Sequence, residues 1–402
     1  MRGSTSLFAS LSLALSFSSA TFAQTPKPVF EHQEIDKIQI GYGLAIGDVD
    51  GDKKPDILLA DKTQIVWYAN PGKAGEAWKK HVIADKLTPL DNVCIAARDI
   101  DGDGKVEVAV GAMWNPGETN DDTKSGSVFY LIRPADPTQK WEPVKLHHEV
   151  TTHRMRWVKA GDQFVLVVKP LHGKGNKNGE GAGARVLAYE KPKDPKVEWK
   201  TTLVDDKMHL AHNFDVMQVT GEGIAPMEIL IMGSKEGVRT AAYFEGKWES
   251  ASSWFNKDSK GVGEVRAAYF SKRGLVAAVE PMHGDKLVVY VPDSDDNIQG
   301  RRIVLDDTIK EGHALAFEDV LGIGRAQVIV GWRMPNKDVK VGIKMFIPDA
   351  KAEKWEQVVI DDNQIAVEDL KVADLDGDGK LDIIGAGRAT KNLKIYWNKT
   401  GK

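Results

Sequence analysis

Several features are scarce or missing in this chain. Cys94 is the single cysteine among 402 residues, so no intrachain disulfide can form, and stability must come from packing and bound ions. The net charge is −4 and no block of basic residues occurs, which argues against nucleic acid as a partner. Beyond the N-terminus, no apolar run reaches the length that crosses a membrane, so we expect no membrane span.

The N-terminus has the pattern of a secretory signal peptide. Arg2 supplies the positive start, Leu7 to Phe17 the apolar stretch, and Thr21 to Ala23 a small-residue cleavage region. The apolar stretch is too short to span a membrane. The sequence therefore predicts a signal in residues 1–23, a mature domain in residues 24–402, and a secreted or periplasmic protein.

A short acidic loop, Asp-x-Asp-Gly-Asp followed by one further carboxylate, occurs three times. Alternate carboxylates on a glycine turn repel one another unless a hard cation such as calcium binds between them. An EF-hand would need Glu at its twelfth position, where Leu59, Val110 and Gly385 stand, and the flanks have strand patterns. The expected calcium ligands are Asp48, Asp50, Asp52, Asp56, Asp99, Asp101, Asp103, Glu107, Asp374, Asp376, Asp378 and Asp382.

The loops recur because the whole chain repeats, in seven units of roughly 50–60 residues with four short strands each. This pattern predicts an all-β, seven-bladed propeller. The last unit lacks a fourth strand, and the segment from Val29 to Ile35 resembles one, so we expect it to complete the last blade and close the ring. A solenoid of acidic repeats is the alternative, but it would not need a split unit.

The acidic motifs resemble those of a known family. The runs from Asp48 to Ile57 and from Asp374 to Ile383 resemble FG-GAP/VCBS repeat propellers, which include integrin α-subunit heads and many exported bacterial proteins. The resemblance implies the propeller fold. It says little about activity, because that family contains adhesion modules, lyases and scaffolds.

The other face of the predicted disc carries the candidate site. First strands of propeller blades line the central channel, so the residues at their starts crowd around one axis. Imidazoles and carboxylates that converge in this way suit a transition metal or general acid–base chemistry. We assign zinc or another divalent metal to an inner ring, His153, His212, His313 and Glu368. The candidate catalytic residues are His172, His283, Glu264, Arg154, Lys169 and Tyr42, and the candidate substrate-binding residues are Trp114, Trp332, Arg333, Lys235 and Arg388.

A second resemblance concerns this face. The runs from Glu311 to Arg333, from Pro170 to Gly175 and from Pro281 to Asp285 resemble the propeller domain of aldos-2-ulose dehydratase. The resemblance implies a central pocket that holds a divalent metal and removes water from a keto-sugar. Elimination of this kind needs no nicotinamide or flavin, and the chain has no fingerprint for either.

Three functions remain open from the sequence. The first is an exported carbon–oxygen lyase, a dehydratase that acts on an oxidised sugar with a carbohydrate as its partner. The second is a non-catalytic, calcium-dependent propeller that binds glycans or proteins. The third is a propeller-type polysaccharide lyase, in which Arg154, Lys235, Arg333 and Arg388 would bind uronate carboxylates. The histidine convergence favours the first function.

Overall fold

The computed structural model describes residues 26–221, 224–252, 261–270, 273–292, 300–335 and 340–401. Within these ranges the chain forms strands and turns and contains no helix. No helix able to cross a membrane was therefore found in the part of the chain that is described. The predicted signal in residues 1–23 lies outside these ranges and stays a prediction.

The strands form seven antiparallel sheets of four strands each, as the repeat predicts. Blade 1 contains Gly43–Gly47 (β2), Asp56–Ala60 (β3), Gln64–Ala69 (β4) and Lys79–Asp85 (β5). Blade 2 contains Cys94–Arg98 (β6), Glu107–Ala112 (β7), Ser127–Ile132 (β8) and Glu142–Leu146 (β9). Blade 3 contains Thr152–Ala160 (β10), Gln163–Pro170 (β11), Val186–Glu190 (β12) and Lys200–Asp205 (β13). Blade 4 contains Ala211–Gly221 (β14), Ile224–Ser234 (β15), Gly237–Phe244 (β16) and Lys247–Ser252 (β17).

The remaining blades follow the same order. Blade 5 contains Val265–Phe270 (β18), Arg273–Glu280 (β19), Lys286–Val291 (β20) and Arg301–Asp306 (β21). Blade 6 contains Gly312–Glu318 (β22), Gln327–Trp332 (β23), Gly342–Pro348 (β24) and Trp355–Asp362 (β25). Blade 7 contains Val367–Ala373 (β26), Asp382–Gly387 (β27) and Asn392–Asn398 (β28), with Phe30–Lys37 (β1) as its outer strand.

Closure by the N-terminal strand is confirmed. Strand β1 pairs antiparallel with β28, from Phe30 opposite Asn398 to Lys37 opposite Asn392. The first strands of neighbouring blades contact one another around the ring, and β26 of the last blade contacts β2 of the first. The pairing covers β28, which would otherwise be an open sheet edge.

The apolar cores lie between neighbouring blades. Strands of blades 1 and 2, for example, share a core that contains Leu58, Trp67, Val108 and Phe129. Trp141, at the start of the fourth strand of blade 2, is buried in that core and donates a hydrogen bond from Nε1 to the carbonyl of Pro137. These cores make the blades a rigid frame, on which the ends of the first strands keep fixed positions around the axis.

Candidate active site

The starts of the first strands surround a cavity of about 230 Å³ at the mouth of the central channel. Strands from different blades bring together side chains that are far apart in the sequence. Ten residues that the sequence pointed to line the cavity: Tyr42, Trp114, His153, Arg154, His212, His283, His313, Arg333, Glu368 and Arg388. Val93, Pro116 and Leu171 complete the wall.

Three histidines converge in this cavity closely enough to bind one ion. One ring nitrogen each of His212, His283 and His313 lies within 4.8 Å of the others. The Nε2 atoms of His212 and His283 are 2.7 Å apart. Since three imidazoles with one open position are the ligand set of many catalytic zinc sites, this group fits a divalent transition metal.

A backbone acceptor orients the ring of His313, and a carboxylate lies beside the ring of His212. His313 Nδ1 donates a hydrogen bond to the backbone carbonyl of Glu368 at 2.6 Å. With the hydrogen on Nδ1, the Nε2 lone pair of His313 is free for a metal. His212 Nδ1 lies 3.0 Å from Glu264 Oε1, although the two atoms do not have the geometry of a hydrogen bond. Asn213 Nδ2 donates to Glu264 Oε2 at 2.7 Å and so fixes the carboxylate.

The electrostatics keep all the cavity histidines neutral. Burial, followed by the charges of Arg333, Arg154 and Arg388, lowers the pKa of His283 to about 3. Burial also holds the pKa of His153, His212 and His313 well below the usual range. Neutral imidazole is the form that binds metals and accepts protons.

His153 lies beside the triad and outside the group that could share one ion. Its Nδ1 donates to the carbonyl of His212 at 3.2 Å, which leaves Nε2 as a free base. Its ring stacks on Trp114, with centroids 4.9 Å apart and planes 21° apart. Trp114, a candidate substrate-binding residue, therefore uses one face to hold an imidazole.

Glu368 is shared by two arginines that also line the cavity. Arg333 Nη1 lies 2.6 Å from its Oε2, and Arg388 Nη1 lies 3.0 Å from its Oε1. Glu311, two residues before His313, accepts a further bond from Arg333 Nε at 3.0 Å. The expected metal ligand Glu368 thus acts through its backbone carbonyl on His313, while its carboxylate is held by arginines.

Tyr42 forms another part of the wall. Its hydroxyl donates to Asp91 Oδ2 at 3.1 Å, and the Arg388 guanidinium lies 5.3 Å from its ring centroid. Burial raises the pKa of Tyr42 to about 12, so the phenol stays protonated at neutral pH.

Five expected site residues do not line the cavity. Glu264 lies behind His212, and Lys169 is fully buried, donating from Nζ to the carbonyls of Asn213 at 2.9 Å and Gly233 at 2.5 Å. Those bonds hold blade 3 to blade 4, and burial lowers the pKa of Lys169 to about 7. The other three are Trp332, whose Nε1 donates to the carbonyl of Lys340; Lys235, which pairs with Glu180; and His172, whose buried Nδ1 has no hydrogen-bond partner among the described residues.

The structure thus exchanges the positions we expected for two histidines. His283 follows the second strand of blade 5 and was expected to be a catalytic residue rather than a metal ligand, but it reaches the axis and joins His212 and His313. His153 was expected in the metal group and stands to one side of it. Sequence reasoning also missed Asp91 and Glu311, although both lie one or two residues before first-strand positions that it had singled out.

The three acidic loops each bring together three carboxylates on the opposite face. The groups are Asp48 with Asp50 and Asp56, Asp99 with Asp101 and Glu107, and Asp374 with Asp376 and Asp382. Burial raises the pKa of Asp56 and of Glu107 to about 7 and that of Asp382 to about 6. A cation between the carboxylates would offset this cost, so the donor set fits calcium.

The expected fourth ligand of each loop stands outside these groups. Asp52 pairs with Lys54 at 2.6 Å, and Asp103 pairs with Arg133 at 2.9 Å. Asp378 accepts a hydrogen bond from the backbone N–H of Lys380 at 3.0 Å.

Comparison with known families agrees with this architecture. Residues 48–110, which contain the first two acidic loops, match the FG-GAP-like repeat. Residues 125–293, which contain His153, His212 and His283, match the β-propeller domain of aldos-2-ulose dehydratase. Both resemblances are confirmed. The comparison with curated proteins found no match.

Among solved structures, the chain is similar to one described as the crystal structure of BBS1N in complex with ARL6DN, soaked with mercury. The TM-score is 0.53 at 14% identity, over 92% of this chain and 97% of that chain. At this identity the likeness concerns the fold alone.

Proposed function

We propose that this chain is a metal-dependent carbon–oxygen lyase that eliminates water or a glycosyl group from a keto-sugar. The observation that carries the proposal is the convergence of His212, His283 and His313 in one cavity. The match of residues 125–293 to a dehydratase propeller supports the same class of reaction.

In this proposal the three Nε2 atoms hold a divalent cation such as zinc. A cation bound there would polarise the substrate carbonyl and acidify the neighbouring C–H bond. Glu264 and the Glu368 carbonyl would hold the His212 and His313 rings in the orientation that binding needs.

His153 is our candidate for the general base. It lines the cavity, it is neutral, and its Nδ1 hydrogen is fixed on the His212 carbonyl, so Nε2 can accept a proton. When that proton leaves the carbon next to the ketone, its bonding electrons form the carbon–carbon double bond. The carbon–oxygen bond on the next carbon breaks as the double bond forms.

Tyr42 is our candidate for the group that protonates the departing oxygen. Its hydroxyl is protonated at neutral pH and would turn from Asp91 to the departing oxygen. The charge of Arg388 over its ring would stabilise the phenolate that donation leaves behind. The proton held by His153 then returns to Tyr42 through solvent, and the products are an enone and water or a free sugar.

The test is turnover of a panel of keto-sugars, followed by the ultraviolet absorption of the conjugated enone. His153→Gln should keep the metal and lower turnover by about a hundredfold to ten-thousandfold, the usual effect of losing a general base. His313→Ala should lose both the axial metal and activity. His172→Gln, a matched change outside the cavity, should leave both intact.

A wild-type protein that binds axial metal and converts no keto-sugar would overturn the proposal. If that protein instead bound glycans or a protein partner only when calcium was present, the non-catalytic alternative would replace it. Cleavage of a uronate polymer without action on keto-sugars would favour the polysaccharide-lyase alternative. Export, as residues 1–23 predict, would give any of these functions access to external carbohydrate.

A further inference from the structure

The charges around the cavity do not balance. Arg154, Arg333 and Arg388 line it, whereas Glu368 is the one carboxylate among its lining residues. Both oxygens of Glu368 are already used, Oε2 by Arg333 at 2.6 Å and Oε1 by Arg388 at 3.0 Å. Arg333 also has Glu311 at 3.0 Å, so these two arginines have two carboxylates between them.

Arg154 is different from the other two. Its Nη1 donates to the backbone carbonyls of His153 at 3.1 Å and Val93 at 3.4 Å. Among the described residues, no carboxylate oxygen lies within the 4.0 Å ion-pair limit of its guanidinium. The side chain is held in place by the first-strand backbone of two blades, while the remaining donors of the guanidinium are left for a ligand.

No other group in the described wall pairs with this charge. The four histidines are neutral, and the charge of Arg154 is among the causes that lower the pKa of His153, His283 and His313. The buried carboxylates of Glu264 and Asp369 attract Arg154 only from beyond ion-pair distance. A divalent cation at the triad would add more positive charge. A partly buried guanidinium without a counter-ion within ion-pair distance costs free energy, which a directly bound anion would recover.

We propose that the cavity takes a keto-sugar that carries a carboxylate, and that Arg154 binds this carboxylate. The inference rests on the proposed function for the rest of the substrate, and it names the substrate class: oxidised sugar acids in preference to neutral keto-sugars. The planar guanidinium presents parallel N–H donors that match a carboxylate, whereas a neutral hydroxyl would leave the charge unpaired.

The experiment compares two keto-sugars by calorimetry. One is a ketogluconate whose ketone is not adjacent to the carboxylate, and the other is fructose, which is neutral. We expect ketogluconate to bind wild-type protein about tenfold to a hundredfold more tightly than fructose, the usual effect of one hydrogen-bonded charge pair. Arg154→Gln should remove this preference, and Arg154→Lys, which keeps the charge and loses the planar fork, should keep part of it.

A second arm separates Arg154 from the metal as the source of the preference. Phenanthroline removes transition metals, and an excess of calcium keeps the acidic loops occupied. The preference for ketogluconate should persist after this treatment, and loss of the preference would mean that the carboxylate binds the metal. Arg185→Gln, in the same blade, changes an exposed arginine that pairs with Glu149 at 2.6 Å and should leave both affinities unchanged.

Two further results would overturn the inference. One is equal affinity of the wild type for the acid and the neutral sugar. The other is an unchanged preference in Arg154→Gln or Arg154→Lys protein that melts like the wild type. Because binding is measured without turnover, the lyase proposal and the carboxylate proposal can fail separately. Binding that depends on Arg154 but gives no enone product would refute only the lyase proposal. Elimination from neutral keto-sugars alone would refute only the preference for sugar acids.

Discussion

His212 and His283 place their Nε2 atoms 2.7 Å apart although 71 residues separate them in the chain. His212 stands in the first strand of blade 4, and His283 follows the second strand of blade 5. Two imidazole nitrogens at this distance share a hydrogen, and a small separation of the rings would let both bind one metal ion. With His313 beside them, the pair forms the centre of the candidate site.

Glu264 should control the affinity of the site for metal. Glu264→Gln keeps the size of the side chain and removes the charge that faces His212 Nδ1 at 3.0 Å. We expect zinc affinity to fall by about tenfold to a hundredfold, the usual loss when a carboxylate behind a histidine ligand is removed. Competition with a chromophoric chelator measures the affinity.

A matched pair outside the cavity provides the control. Glu236 also faces a histidine, with its Oε1 at 2.8 Å from His209 Nδ1, but this pair lies at the surface. Glu236→Gln should leave zinc affinity unchanged. Equal losses in both variants, or no loss in Glu264→Gln, would show that Glu264 has no part in metal binding.

The acidic loops should stabilise the folded protein by binding calcium. At calcium a hundredfold above its dissociation constant, each occupied loop contributes about 2.7 kcal/mol to the free energy of unfolding. Chelation should therefore lower the melting temperature while the circular dichroism spectrum remains that of a β protein. Asp50→Asn should weaken this response, whereas Asp52→Asn, which lies outside the converging group, should largely keep it. Identical melting curves with calcium and with excess chelator would contradict the assignment.

Removal of the N-terminal strand should open the ring. Truncation through Lys37 deletes β1, uncovers β28, and takes away Gln33 and Asp36, which accept hydrogen bonds from Trp397 at 3.0 Å and Tyr68 at 2.7 Å. We expect aggregation or a large loss of stability, because an open edge pairs with other chains. Sedimentation and thermal melting provide the readout, with truncation through Thr25 as the control that keeps β1. A monomer that melts at the control temperature would refute closure as a source of stability.

The buried histidines should make stability depend on pH in the acid range. Their pKa values in the folded state lie below the ordinary 6.5, at about 3 for His283, so the unfolded chain binds more protons as the pH falls. Each neutral histidine makes its whole contribution to the free energy of unfolding above pH 6.5. Below pH 6.5 this contribution falls by about 1.4 kcal/mol per pH unit for each histidine. Urea unfolding in phenanthroline and calcium should show this slope, and His283→Gln should reduce it. A slope that the variant does not change would contradict the neutral state of His283.

Much of the fold could be predicted from local pattern. The starts of the first strands near Tyr42, His153, His212 and His313 agree with the observed strands to within a residue or two, because alternating apolar residues and turn glycines mark them. The split last blade could also be predicted, since the segment from Val29 to Ile35 has the pattern of a fourth strand. The strand pattern also located candidate site residues, because the start of every first strand lies near the axis of a propeller.

Local periodicity and one repeated register are enough to predict the strand content, the repeat, the closure of the ring and the set of residues that meet at the channel mouth. Which of these side chains touch follows from the folded arrangement alone. His283 reaches the axis from a turn with a positive φ of 52°, Lys169 turns into the blade interface, and Arg154 has no carboxylate within ion-pair distance among the described residues. These outcomes depend on rotamers, on the local path of the turns and on neighbours from other blades, and a one-dimensional pattern carries none of that information.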